Sequence, residues 1–177
     1  MNNRSKAKEI AEIGLMIAVI EAAKLAMANL PNIELTSFLL VMFTLYFGKK
    51  TLFAIPAFIL IEIMIFGFNI MWVIAYCYVW PILCLLALVF RKRPQSPFYP
   101  ALLSGFFGLF FGFLCSFPYL FITTGTNPTA SLSSAIAWWI AGIPFDLIHG
   151  GANFVIMLLL YRPVRNAMEK AGQMNKT

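Results

Sequence analysis

Residues 70–90 read IMWVIAYCYVWPILCLLALVF and are followed at once by Arg91, Lys92 and Arg93. A run of that length without one charged side chain matches the roughly 20 apolar residues that a helix needs to cross a bilayer. The basic triplet marks its end as cytoplasmic, because short cytoplasmic loops retain Lys and Arg. The same alternation continues outward in both directions. Arg4, Lys6 and Lys8 precede the first apolar stretch, Lys49 and Lys50 separate the second from the third, and Arg162, Arg165, Lys170 and Lys176 follow the last. The connections near 31–35, 67–71 and 123–132 contain no Lys or Arg. The expected fold is therefore an all-α integral membrane protein, a single bundle of six transmembrane helices with both N- and C-termini cytoplasmic. Its spans are expected at 8–30, 34–47, 51–66, 70–90, 101–122 and 135–161, so that residues 1–177 form one domain. Lys24 alone breaks the charge pattern, lying within a span.

Composition agrees. The chain is 61% hydrophobic and 11% charged, against a charged share of roughly a quarter in soluble domains. Six spans consume most of the length, which leaves no room for a soluble catalytic or nucleotide-binding domain. The net charge of +6 belongs to the flanks of the spans, where it meets anionic lipid; no basic and aromatic interleaving points to nucleic acid. Cys77, Cys84 and Cys115 form no CxxC and read as small apolar side chains rather than a disulfide or metal framework. Ala26-Met27-Ala28 loosely resembles a secretory cleavage site, but Glu12, Glu21 and Lys24 interrupt the apolar run before it, so the segment reads as the first transmembrane helix.

Turn and kink signals set the boundaries. Pro31-Asn32 and Gly67-Phe68-Asn69 read as outer turns and Gly48-Lys49-Lys50 as a cytoplasmic one. The second segment is short, which implies tilt or shielding by neighbours. Pro56 is expected to kink the third segment, and Gly142 with Pro144 to bend the last. The link from Arg91 to Pro100, rich in proline, reads as extended, and Thr123 to Ser134 as the longest outer loop. No fixed-period repeat is present, which disfavours an inverted-repeat transporter.

Two ridges of small residues stand out. Gly14, Ala18, Ala22 and Ala26 recur every four residues on one face of the first segment, and Gly105, Gly108 and Gly112 line the fifth. Such ridges let helix backbones approach closely where lipid removes the hydrophobic drive for association. The spacing of the first leaves open whether it packs within this bundle or against another protein; the second is expected to pack internally.

Ionisable residues inside spans are costly and mark function or buried pairing. They are Glu21, Lys24, Glu62, Asp146 and His149. Asp146, His149 and Asn153 share one stripe of the last segment, beside Gly150 and Gly151. That stripe reads either as a polar clamp between helices or as a ligand-facing surface. Trp72, Tyr76 and Trp80 form an aromatic stripe in the fourth segment. With Asn69, Tyr119, Trp138 and Trp139 it offers a wall for a flat ring, or an ordinary interfacial belt. Asn32 and Glu34 are placed to close the mouth from the first outer loop. The candidate substrate-binding set is thus Glu21, Lys24, Asn32, Glu34, Glu62, Asn69, Trp72, Tyr76, Tyr119, Trp138, Trp139, Asp146, His149 and Asn153.

Catalysis finds little support. Ala101-Leu-Leu-Ser-Gly105 lacks the first glycine of a GxSG nucleophile turn, and the single histidine excludes an HExxH metal site. No catalytic or metal-ligating residue is assigned. A proton-coupled carrier using Glu21, Glu62 and Asp146 remains a physical alternative, and an intramembrane hydrolase a weaker one.

Taken together, the size, the charge alternation, the AxxxA spacings Ala18 to Ala22 and Ala22 to Ala26, the aromatic outer half, and the segment Trp139-Ile-Ala-Gly-Ile-Pro-Phe-Asp-Leu-Ile-His149 resemble the substrate-binding S components of energy-coupling factor (ECF) vitamin transporters. The resemblance covers nearly the whole chain. It implies a non-catalytic membrane subunit that binds a water-soluble vitamin or related ringed micronutrient on the outside, then topples while attached to a transmembrane coupling subunit. Two partner ATPase subunits would use ATP, with no cofactor bound by this chain. Gly14, Ala18, Ala22 and Ala26 would dock onto the coupling subunit, and the protein would reside as a multi-pass protein in the cell membrane. No motif here matches the thiamine, biotin, folate or riboflavin binders.

Overall fold

A computed structural model describes residues 3–91, 96–122 and 128–174. Lys92, Arg93, residues 123–127 of the expected outer loop, and Lys176 lie outside the described residues. Within them the chain is helical and contains no strand. The helices are α1 (Asn3–Ala26), α2 (Thr36–Phe47), α3 (Ala54–Phe66), α4 (Ile70–Phe90), α5 (Phe98–Leu109), α6 (Phe111–Ile122) and α7 (Pro128–Met174), with a 3-10 helix, Gly48–Phe53, between α2 and α3.

Among the described residues three stretches are long and apolar enough to cross a membrane: Ile70–Phe90, Phe98–Phe121 and Ser131–Gly172. The second runs through the α5–α6 junction. Its hydrogen bonding continues there, with Phe110 N donating to Phe106 O (3.1 Å) and Leu114 N to Phe110 O (2.9 Å), so the fifth segment is one rod with a local irregularity. The last segment outruns its expected limits of 135–161. Its 47 residues reach about 70 Å at 1.5 Å per residue, far more than a bilayer core of roughly 30 Å. By contrast α2 and α3, with 12 and 13 residues, reach only about 20 Å. In α1 the acidic Glu9, Glu12 and Glu21 join Lys24 in breaking the apolar run.

The short α2 is the buried centre. Every residue from Thr36 to Thr44 is buried, and α1, α4, α5 and α7 all pack on it. A helix apolar on nearly all sides suits such enclosure. Its few polar groups are satisfied locally: the Thr44 hydroxyl donates to Leu40 O (2.7 Å). At its N-terminus the Glu34 carboxylate accepts from Thr36 N, from Ser37 N (3.1 Å) and from the Ser37 hydroxyl (2.7 Å), so a negative charge meets the positive end of the helix dipole. At its C-terminus the Arg91 guanidinium donates to Leu45 O and Tyr46 O, both at 3.2 Å, and Gly48 turns the chain with φ 70°. The outer surface is apolar, with Leu15, Met64, Val89, Phe106, Phe121 and Leu159 among the exposed side chains.

Several local expectations change. Pro56 is the third residue of α3, in the first turn where a missing N–H costs nothing, so it starts the helix rather than kinking it. The second span begins at Thr36, leaving Glu34 in the connection, and the first helix ends at Ala26 in a series of turns. Cys84 and Cys115 are buried as expected, whereas Cys77 faces outward. The glycines of the fifth segment do pack internally. A side chain at Gly105 would meet Phe154 Cβ at 3.1 Å, one at Gly108 would meet Gly150 Cα at 2.7 Å, and one at Gly112 would run into the Asp146 carboxylate. The other ridge does not: Gly14, Ala18, Ala22 and Ala26 are all exposed, and nothing lies within 4 Å of where a Gly14 side chain would be.

Candidate functional site

An arc of side chains surrounds a cavity of about 180 Å³ at the end of α1 opposite Glu12 and Lys50. Lys24, near the end of α1, forms an ion pair with Glu62 of α3. Glu62 is 3% exposed, so its carboxylate depends on this partner. The Lys24 ammonium also lies 5.2 to 5.5 Å from the ring centroids of Phe58, Phe66 and Tyr76, where the ring faces attract it. Glu21, one turn earlier, is buried beside the pair and feels both charges.

From Lys24 the wall runs through Tyr76 to Trp80 (5.2 Å between rings), Phe111 (5.4 Å) and His149 (4.9 Å). His149 Nε2 lies 3.1 Å from Glu34 Oε1. An ionised carboxylate can only accept, so Nε2 carries the proton in this bond. The connection between α1 and α2 contributes Met27, Leu30, Asn32, Ile33 and Glu34 to the lining. Asn32 takes φ 59° there, a left-handed turn that asparagine tolerates better than most residues.

Burial pushes the Glu34 carboxyl up, but the hydrogen bond and charge of His149, together with the Thr36 and Ser37 donors, outweigh it and hold the group down at about 2. A depressed carboxylate contributes stability that is complete above its unfolded value and is lost as pH falls towards the folded one. The thermal midpoint in nanodiscs should therefore fall on acidification from about pH 4.5 towards pH 2, and Glu34→Gln should flatten that part of the profile. An unchanged slope in the variant would refute the assignment.

Of the fourteen residues expected at the site, the cavity wall brings together Lys24, Asn32, Glu34, Tyr76 and His149. Glu21 and Glu62 stand behind Lys24. Trp72 packs edge-on against Tyr76 at 5.2 Å, one turn away from the wall. Asn69 is exposed and caps α4, accepting from Met71 N (2.9 Å). Tyr119 and Trp138 stack on each other at 5.3 Å, and Trp139 packs on Phe113 at 5.1 Å; none of these three lines the cavity. Asp146 accepts from Gly112 N (2.9 Å), tying α7 to α6, and Asn153 is wholly buried below. The stripe on α7 is thus divided between clamp and cavity.

Trp80, Phe111 and Thr36 complete the wall without having been assigned to it. Trp80 carried a signal, as the third member of the stripe at four-residue spacing. Phe111 carried none, because its direction depends on the irregularity at Phe110. No family model, curated protein or solved structure matches the chain.

Proposed function

We propose that this protein is the substrate-binding S component of an ECF-type importer, spanning the membrane six times with both termini cytoplasmic. The observation that carries the reading is the cavity, whose aromatic arc, Lys24–Glu62 ion pair and Glu34–His149 hydrogen bond form a small, preformed site of the kind that holds a ringed micronutrient. The orientation follows from the charge alternation. Lys50 and Arg91 sit at the end of α1 and α2 away from the cavity, so a cytoplasmic basic cluster leaves the cavity facing outside. The exposed ridge Gly14, Ala18, Ala22 and Ala26 is the surface offered to a transmembrane coupling subunit, and two ATPase subunits supply the energy. The chain itself catalyses nothing and binds no cofactor.

One observation favours a second reading. The buried cluster of Glu21, Lys24 and Glu62 has the makings of a proton-coupling site in an autonomous carrier. The two differ when the protein is reconstituted alone in liposomes and tested with a panel of radiolabelled water-soluble vitamins. A binding subunit retains one of them tightly and accumulates none under a pH or sodium gradient. Gradient-driven accumulation by the isolated protein would overturn the S-component reading.

A further inference from the structure

Resting on the reading of the cavity as a binding site, we infer that its ligand is an uncharged planar heteroaromatic whose hydrogen-bond acceptor is taken by the indole N–H of Trp80. The charged groups at the cavity are already engaged. Lys24 is paired with Glu62, and both Glu34 oxygens are engaged by Thr36, Ser37 and His149. A charged ligand competes with one of these part-buried pairs for its partner. An uncharged one leaves them intact.

Trp80 differs from these residues. It is 2% exposed, and its Nε1 has no hydrogen-bond partner among the described residues. An indole N–H can only donate, and a buried donor without an acceptor carries an unrecovered desolvation cost. A ligand acceptor removes that cost, so Trp80 selects for an acceptor in the ring or on its edge. Such a site rejects analogues lacking the acceptor more strongly than it distinguishes apolar shape. The remaining wall, Tyr76 and Phe111 with Met27, Leu30 and Ile33, supplies faces for a flat ring, and the cavity's size limits that ring system to one or two fused rings.

The isosteric probes 7-azaindole and indole differ by one ring nitrogen acceptor. Titrated into the full-length protein in nanodiscs at neutral pH, 7-azaindole should bind at least fivefold more tightly, and Trp80→Phe should bring the ratio close to one. In protein labelled with ¹⁵N-tryptophan, one indole N–H should move downfield with 7-azaindole and not with indole, a reading that needs no variant. Equal affinity for the two probes, a ratio that persists in Trp80→Phe, or no indole shift with 7-azaindole bound would overturn the donor role while leaving the binding reading standing. Indole-3-carboxylate and tryptamine test the charge: either one binding more than fivefold tighter than indole would overturn the uncharged assignment. If neither 7-azaindole nor indole binds, the cavity is not a ring site, and the reading beneath this inference falls with it.

Discussion

Gly108→Leu should lower stability by about 2 kcal/mol and weaken ligand binding together. The side chain would have to enter where Gly150 Cα lies 2.7 Å, Gly150 N 2.8 Å and the carbonyl carbon of His149 3.0 Å from the position of its first carbon. These are backbone atoms and cannot rotate aside, so α5 and α7 must separate. Overpacking of this kind costs about 1–3 kcal/mol, and here the upper part of that range applies. The gain from replacing a helical glycine, about 1 kcal/mol, offsets only part of it. The displaced stretch of α7 carries His149, so its bond to Glu34 lengthens and the cavity wall loosens. Gly142→Ala is the control. Nothing lies within 4 Å of its added carbon, and it should raise stability by about 0.5–1 kcal/mol. Thermal unfolding of both variants in nanodiscs decides the matter; a Gly108→Leu midpoint at or above the unsubstituted protein's would refute the close approach.

The same contrast explains how much of the fold was legible in the sequence. Apolar runs and their charged boundaries, which are local signals, marked the helix Ile70–Phe90, whereas the helix Pro128–Met174 extends beyond the apolar run expected at 135–161. Four-residue spacing likewise showed that Gly105, Gly108 and Gly112 share one face, as do Gly14, Ala18, Ala22 and Ala26. Spacing does not say what that face meets. One ridge turned out to be buried against α7 and the other to face outward, a difference set by tertiary packing. The site divides in the same way. Tyr76 and Trp80 belong to a repeating stripe, and Lys24 was conspicuous as a charge inside an apolar helix. The bond between Glu34 and His149 joins residues 115 positions apart, and neither residue's surroundings name the other. Asp146 looked equivalent to His149 on the same stripe, yet it faces Gly112, because the glycine leaves room for a carboxylate that any larger residue would exclude.

On the proposed S-component reading, replacing Ala18 and Ala22 together by Trp should abolish substrate uptake in cells that supply coupling and ATPase subunits, while binding to the isolated protein stays within about twofold. Both alanines are exposed on α1, on the side away from Met16, Ile17 and Ile20, which enter the core. A tryptophan at either position therefore extends from the bundle into apolar surroundings, with no core atom to displace. Stability should change little, and the cavity, reached by α1 only through Lys24, should keep its shape. A partner helix meets the change differently. Close helix approach in a membrane rests on small residues at the crossing, since lipid supplies no hydrophobic drive of its own. Two indoles hold the backbones several ångströms apart and remove the van der Waals contact on which the association rests. Loss of uptake and of co-purification with the coupling subunit, with binding retained, is the pattern expected of a docking surface. Loss of binding as well would place the ridge in the site's own support, and normal uptake would show that the partner docks elsewhere.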